Sequence, residues 1–289
     1  MEQTMKYSKG QRVKHPGKPE WGLGQVLEDS SSTSVKVFFV GAGERQLSLS
    51  HVTLIPFSGK EAEHIVLDNL RPISDGPGIR YMSLPRAVER FLELFPQGFH
   101  GKKYTGQERD YKIKAHQMAQ ELISEAELKR LLAEGKYEEI CRRALRVANA
   151  TNLIFPNEKM ALKDGLENPL ARTDFATALY GLLYTPGSFK AGFDGFARVL
   201  GSIGANKWTT ATYFPFIVHP DQYMFVKPTV TQKAAELSAF EINYRPELNW
   251  LTYESVLKFS NYLRSELAEL KPRDMIDVQS FMWCIAPEI

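Results

Sequence analysis

The chain of 289 residues has only two cysteines, Cys141 and Cys284. Two thiols cannot build a multi-bridge framework, and neither has a second Cys or a nearby His at metal-ligand spacing. A disulfide scaffold and a zinc site are therefore unsupported, and no metal or other cofactor is expected. No apolar run approaches the roughly 18–20 residues that cross a bilayer, so no membrane partner is expected either. Residues 1–4 are polar and lack the apolar stretch of a secretory signal. Together with the sparse thiols, this sets the expectation of a reducing cytoplasm. The patterns GxxxxGK followed by Ser or Thr, HExxH, CxxC and GxSxG are all missing. P-loop nucleotide hydrolysis, zinc proteolysis and α/β-hydrolase chemistry thus lack support. An excess of one charge is also lacking: 36 Lys and Arg meet 34 Asp and Glu, a formal net charge of +2. Whole-chain charge therefore does not announce a nucleic-acid binder.

What is present is core material. Hydrophobic residues make up 43% of the chain, with 17 Phe, 12 Tyr and 4 Trp, which excludes a mostly disordered protein. The length suits about two domains of roughly 150 residues each. Charge becomes informative locally. Residues 1–60 carry eight Lys or Arg against five Asp or Glu, and Lys102, Lys103, Arg109, Lys112 and Lys114 cluster around Glu108 and Asp110. Such patches either follow a phosphate backbone or solvate a surface.

The first sixty residues read as β. Short runs at 11–15, 24–28, 34–40 and 45–49 are rich in Val and Phe and are punctuated by Pro16-Gly17, Ser30-Ser31-Ser32 and Gly41-Ala42-Gly43. Val35, Val37 and Phe39 alternate with Lys36 and Phe38, the period of a strand. Four or five strands in about 50 residues suggest a small SH3-like barrel. Residues 58–80, with Pro72, Gly76, Pro77 and Gly78, read as a linker. From 81 to 289 the pattern is helical. Ser83 is placed to cap a helix through Phe95, and further amphipathic segments cover about 106–123, 124–134, 136–149, 170–184, 188–202, 229–240 and 253–270. The expected fold is α+β and multidomain: a barrel over 1–57, a linker over 58–80 and a helical domain over 81–289.

Two stretches resemble known families. Gly10-Gln11-Arg12-Val13-Lys14-His15 and Trp21-Gly22-Leu23-Gly24-Gln25-Val26 resemble the Tudor-like barrels appended to UvrD-type helicases and related to CarD. That resemblance implies an accessory module binding protein or nucleic acid. Gly201-Ser202-Ile203-Gly204, then Trp208-Thr209, Ala211 and Tyr213-Phe214, resemble the hairpin of helix-hairpin-helix DNA glycosylases, in particular the 3-methyladenine type. Phe225-Val226 matches the extended lead to that family's catalytic position. The resemblance implies a DNA-binding enzyme that flips out and excises a damaged or modified base, in DNA repair or antiviral (phage) defence. It places Gly204, Lys207, Trp208 and Thr209 on DNA, and the local basic cluster offers Lys102, Lys103 and Arg109 as further phosphate contacts. Two departures stand out. Lys227 occupies the position of the family's catalytic Asp, and Ala205-Asn206 lengthen the hairpin.

Glycosidic cleavage needs a carboxylate to stabilise the sugar cation or activate water, or an amine to attack C1′. Lys227 is the first candidate; the alternatives are a phosphate contact or a solvated side chain. Lys207 is a second amine with the same alternatives. Asp221 is the nearest carboxylate, although His219-Pro220-Asp221 is also an ordinary turn. Asp174 reads either as a carboxylate candidate or as a first-turn helix charge, and His219 either as an acid–base group or as structural. Tyr180, Tyr184, Phe189 and Phe193 either line a base pocket or pack a core. The competing function is a non-catalytic DNA-binding or protein-interaction factor, with a protein partner reached through the barrel.

Overall fold

Alternation of Val and Phe with polar residues dictates a sheet, and the first segment forms one. The computed structural model describes residues 6–71 and 81–286. Strands β1 (Arg12–Lys14), β2 (Leu23–Val26), β3 (Ser34–Phe39), β4 (Gly43–Ser48) and β5 (Ile55–Phe57) pair antiparallel in the order β4-β3-β2-β1-β5. The outer strands β4 and β5 do not pair, so the sheet is open and is not the closed barrel expected. One face buries Tyr7, Val13, Val26, Val35, Val37, Phe39 and Leu54. The Tyr7 hydroxyl donates to the Leu54 carbonyl and accepts from the Leu54 N–H, at 3.1 and 2.8 Å. Gly24 stands opposite Phe39, and a Cβ there would come within 2.7 Å of that ring. Phe38, on the other face, is buried as well because Tyr81 packs edge-on against it at 4.9 Å.

The chain divides into two units, Met1–Arg90 with Ala235–Glu241, and Phe91–Ala234 with Ile242–Ile289. The first adds α1 (Ile65–Asp68) and the start of α2 (Leu84–Leu94) to the sheet. Arg71 N–H donates to the Ala239 carbonyl, and Leu70 pairs with Phe240. Pro72, Gly76, Pro77 and Gly78, the punctuation of the expected linker, lie outside the described residues.

The second unit is helical. It contains α3 (Lys102–Tyr104), a π-helical segment (Thr105–Arg109), α4 (Asp110–Leu122), α5 (Glu125–Ala133), α6 (Tyr137–Asn149) and α7 (Pro156–Gly165). There follow α8 (Pro169–Tyr184), α9 (Phe189–Ser202), α10 (Trp208–Val218), α11 (Pro228–Leu237, whose residues from Ala235 on belong to the first unit), α12 (Trp250–Glu266) and α13 (Met275–Ile285). Every residue of α10 is buried, so this helix is enclosed on all sides. Its last carbonyls are met by α4: His116 Nδ1 lies 2.7 Å from the Ile217 carbonyl, and Gln120 donates to that of Val218 at 2.9 Å. These contacts satisfy acceptors that a helix end leaves open. Among the described residues, no helix is long and apolar enough to cross a membrane.

Candidate functional site

The site is built from the turn between α9 and α10. The Ala205 N–H bonds to the Leu200 carbonyl at 2.8 Å and the Gly204 N–H to that of Gly201 at 3.3 Å. Gly204 has φ +71. This is the Schellman arrangement, in which the left-handed residue after a helix is usually glycine. Gly204 is exposed, and a Cβ built on it would meet nothing within 4 Å, so its backbone is open to approach. Lys207, the residue preceding α10, is extended and exposed, with no side-chain bond to the helix.

Past α10 the chain returns through residues 223–227. Met224, Phe225 and Val226 are buried, and the Val226 N–H bonds to the Thr212 hydroxyl at 2.9 Å. Lys227 follows this anchored run. Its carbonyl accepts the Thr231 N–H at 2.9 Å, so α11 starts at Pro228, directly after Lys227. The half-buried Lys227 side chain places Nζ 4.8 Å from the centres of both the Phe155 and the Trp283 rings. Those rings are 47% and 46% exposed. Burial lowers the affinity of the amine for its proton, Glu158 opposes that, and burial prevails.

Glu158, in the first turn of α7 beside Phe155, is tied to the start of α10. The Thr209 hydroxyl donates to Glu158 Oε2 at 2.7 Å, and the Phe155 N–H donates to the same oxygen at 3.1 Å. Lys159 beside it donates to the Thr151 carbonyl at 2.6 Å. A second amine reaches α13 one turn away from Trp283. Lys112 is fully buried and donates to Gln279 Oε1 at 2.7 Å and to the Ser280 hydroxyl at 2.8 Å. Burial pulls its pKa down to about 8, partly offset by Glu108 and Cys284.

Several expected residues stand elsewhere or are already engaged. Trp208 is 2% exposed; its Nε1–H donates to the Arg245 carbonyl at 2.9 Å and its ring stacks on Phe193. An aromatic enclosed in this way cannot stack on an extruded base. Thr209 is buried and committed to Glu158. Arg109 is buried between Asp274 and Asp277, because a guanidinium in a low-dielectric interior needs carboxylates at hydrogen-bond distance; it is not a phosphate contact. Asp221 follows the far end of α10, about 16 Å along the axis from its start. It is exposed, with its side chain taken by Gln222 and its carbonyl by Arg264, and makes no contact with Lys227 among the described residues.

Lys102 and Lys103 are exposed, Lys103 donating to the Leu94 carbonyl at 2.9 Å. His219 contacts the Leu183 carbonyl and the Tyr184 ring, while Phe189 stacks on Tyr223 at 3.9 Å. Phe193 is buried and packs in the core, whereas Tyr180, Tyr184 and Phe189 are partly exposed. Asp174 is exposed.

Phe155, Glu158 and Trp283 escaped the sequence reading. A signal existed for two of them: Phe155-Pro156 followed by Glu158 is a helix start, with Pro in the first turn and a carboxylate reaching back to the N-cap. Nothing local in sequence ties either to Lys227.

Residues 7–56 match the model of a family described as Protein of unknown function (DUF3553). That segment covers the sheet and reaches none of the residues around Lys227. No curated protein and no solved structure matches the chain.

Proposed function

We propose that this protein is a DNA-binding, glycosylase-like enzyme that excises a damaged or modified base, with Lys227 as the attacking amine. The observation that carries this reading is the half-buried Lys227 ammonium between two half-exposed rings, Phe155 and Trp283; the left-handed turn at Gly204, whose sequence resembles a helix-hairpin-helix, supports it. A flipped base needs a flat apolar surface, and these rings offer one that Trp208 does not. The open backbone at Gly204 and the exposed Lys207 suit a DNA phosphate.

In this mechanism Lys227 first loses a proton. Its nitrogen lone pair bonds to C1′ as the glycosidic bond breaks, and the base departs with the bonding electrons and takes up a proton. The new C–N ammonium then gives up a proton, and its lone pair expels O4′ to open the sugar as a protonated imine. O4′ takes up a proton, and water adds to the imine carbon and releases the amine. Borohydride adds hydride to the imine and fixes it as a stable secondary amine.

The test uses duplexes carrying natural, alkylated, oxidised or phage-type modified bases, scored for alkali-revealed abasic sites and for borohydride-trapped protein. Wild type should score in both assays on at least one duplex. Lys227→Ala should score in neither while keeping its melting temperature, and Phe155→Ala with Trp283→Ala should weaken capture by about 1–3 kcal/mol per stacked ring. Release of no base from any duplex overturns the reading.

A second reading draws on the same contact. Two rings around an ammonium favour its charged form, which suits a phosphate ligand on a protein that binds DNA without cutting it. Salt-sensitive binding lost in Lys227→Ala, with no base release by wild type, selects that alternative. For the sheet domain we propose a supporting role in holding DNA or a protein partner, and for the protein a cytoplasmic setting.

A further inference from the structure

We infer that a row of half-exposed aromatic rings, running from Tyr180 to Trp250 and bordered by Glu125 and Asp221, is a docking surface for an extended, arginine-bearing segment of a partner protein. The row is continuous. Tyr180 meets Tyr184 with ring centres 5.9 Å apart, Tyr184 meets His219 at 5.6 Å, and His219 meets Tyr223 at 6.2 Å. Phe189 stacks on Tyr223 at 3.9 Å and meets Trp250 at 6.2 Å. All of these rings are partly exposed, although they come from the end of α8, the turn after α10, and the starts of α9 and α12. Single surface aromatics are ordinary; a contiguous row assembled from distant parts of the chain marks a contact surface.

Several rings are fixed before any partner arrives. The Tyr184 hydroxyl donates to the Ile123 carbonyl at 2.8 Å, His219 Nε2 lies 3.0 Å from the Leu183 carbonyl, and Trp250 Nε1–H donates to Glu254 at 3.3 Å. Rings already held in place lose little freedom on binding. The hydroxyls of Tyr180 and Tyr223, by contrast, have no hydrogen bond among the described residues and are open to the carbonyls of an extended chain.

Charge selects the occupant. The Tyr184 bond sets the row beside the start of α5, where Glu125 is exposed, and Asp221 stands exposed two residues before Tyr223. Among the described residues neither carboxylate has an ion pair, Asp221 accepting only from Gln222 at 3.3 Å. Cations nearby are committed: Lys190 to Asp194 at 2.6 Å, Lys258 to Glu254 at 3.3 Å, and Arg264 to the Asp221 and Arg273 carbonyls. A phosphate chain laid along the row would meet carboxylates instead of free cations. A guanidinium suits both features, since it stacks flat on an aromatic face and also pairs with a carboxylate. Alternate side chains on one side of an extended chain lie about 6.6 Å apart, close to the spacing of most neighbouring rings.

The test uses the full chain and a fluorescein-labelled peptide of alternating glycine and arginine, with binding read by anisotropy. Counterparts carry lysine or glutamate in place of arginine, and a labelled oligothymidine serves as the polyanion. The arginine peptide should bind, the lysine peptide several-fold more weakly because an ammonium cannot stack flat, and the glutamate peptide not at all. Glu125→Gln combined with Asp221→Asn should weaken the arginine peptide several-fold and flatten its salt dependence. Tyr180→Ala combined with Tyr223→Leu should weaken it too and bring it level with the lysine peptide. Should the ring variant fail to fold, the carboxylate variant, which leaves the packing intact, decides alone. No binding of the arginine peptide, or binding that the folded variants leave unchanged, overturns the inference. Oligothymidine binding that the ring variant abolishes overturns it as well and gives the row to single-stranded DNA. The readout is binding alone, so it stands or falls independently of any chemistry at Lys227.

Discussion

Arg109 and Asp277 form a buried ion pair, Nη1 to Oδ1 at 2.9 Å, with Asp277 wholly removed from solvent. Asp277 also accepts from the Tyr104 hydroxyl at 2.7 Å and from the Arg273 backbone and side chain at 2.8 and 2.9 Å. Asp274 completes the cluster and caps α13. Removing one partner leaves the other charge buried and alone, so Arg109→Ala should lower unfolding free energy by about 3–5 kcal/mol. Calorimetry or denaturant titration of the variant checks this, and a loss below about 1 kcal/mol would show that water reaches the cluster.

The same cluster sets an acid limit. Burial acts to raise the Asp277 pKa, but the Arg273 side-chain and backbone bonds and the Arg109 charge outweigh it and hold the group below the usual carboxylate range. A carboxylate with a depressed folded pKa stabilises the fold above its unfolded pKa, and that contribution is lost as pH falls through the folded value. Stability should decline as pH drops below about 4, and Asp277→Asn should flatten the decline while reducing stability at neutral pH.

Lys112 gives the opposite slope. Its folded pKa of about 8 lies below the ordinary 10.5, so between those values the unfolded chain holds more protons than the folded one. This group's contribution to stability should therefore rise with pH above about 8, until buried tyrosines, whose folded pKa values are raised, begin to reverse the trend. Lys112→Met should remove the rise, as read from denaturant midpoints at pH 7.5, 8.5 and 9.5.

Trp208→Ala should behave as a core deletion. With the ring enclosed against Phe193 and its N–H committed to the Arg245 carbonyl, the expected loss is about 3–5 kcal/mol of stability. DNA affinity of the fraction still folded should be unchanged. A stable Trp208→Ala protein that fails only in base capture would restore the DNA contact that the resemblance implied.

If the second unit holds DNA, the exposed Lys102, Lys103 and Lys207 supply its charge. Reversing Lys102 and Lys103 to Glu should weaken binding for all sequences alike. If each lysine neutralises a phosphate, the salt dependence should flatten by about 0.9 in slope for every phosphate left without its cation. Gly204→Val should weaken binding too, since it strains the positive φ and covers the open backbone.

Helices rich in apolar residues were legible in the sequence. α8 and α9, expected over 170–184 and 188–202, lie at Pro169–Tyr184 and Phe189–Ser202. α7 was missed because it offers little apolar material, burying Leu162 alone, and β5 because Ile55-Pro56-Phe57 is a three-residue edge strand containing a proline. Lys227 stood out through a resemblance. Its neighbours could not, since Phe155 and Trp283 reach it from α7 and α13, and only tertiary packing brings them together. Arg109 misled for a related reason: a basic residue beside Lys102 and Lys103 looks like surface until Asp274 and Asp277 arrive from the far end of the chain.

The enclosure of α10 has a consequence for how the molecule breathes. A helix buried on every side and held at its last carbonyls by His116 and Gln120 has no local route to opening. Its interior amides should exchange with deuterium only when the whole second unit unfolds. Thr209 rides on the first turn of that helix, so the carboxylate it grips is held on the slowest timescale the unit possesses. Phe155 and Trp283 are half-exposed and can change rotamer within nanoseconds. Anything that enters beside Lys227 therefore meets two quick rings in front of a nearly static floor.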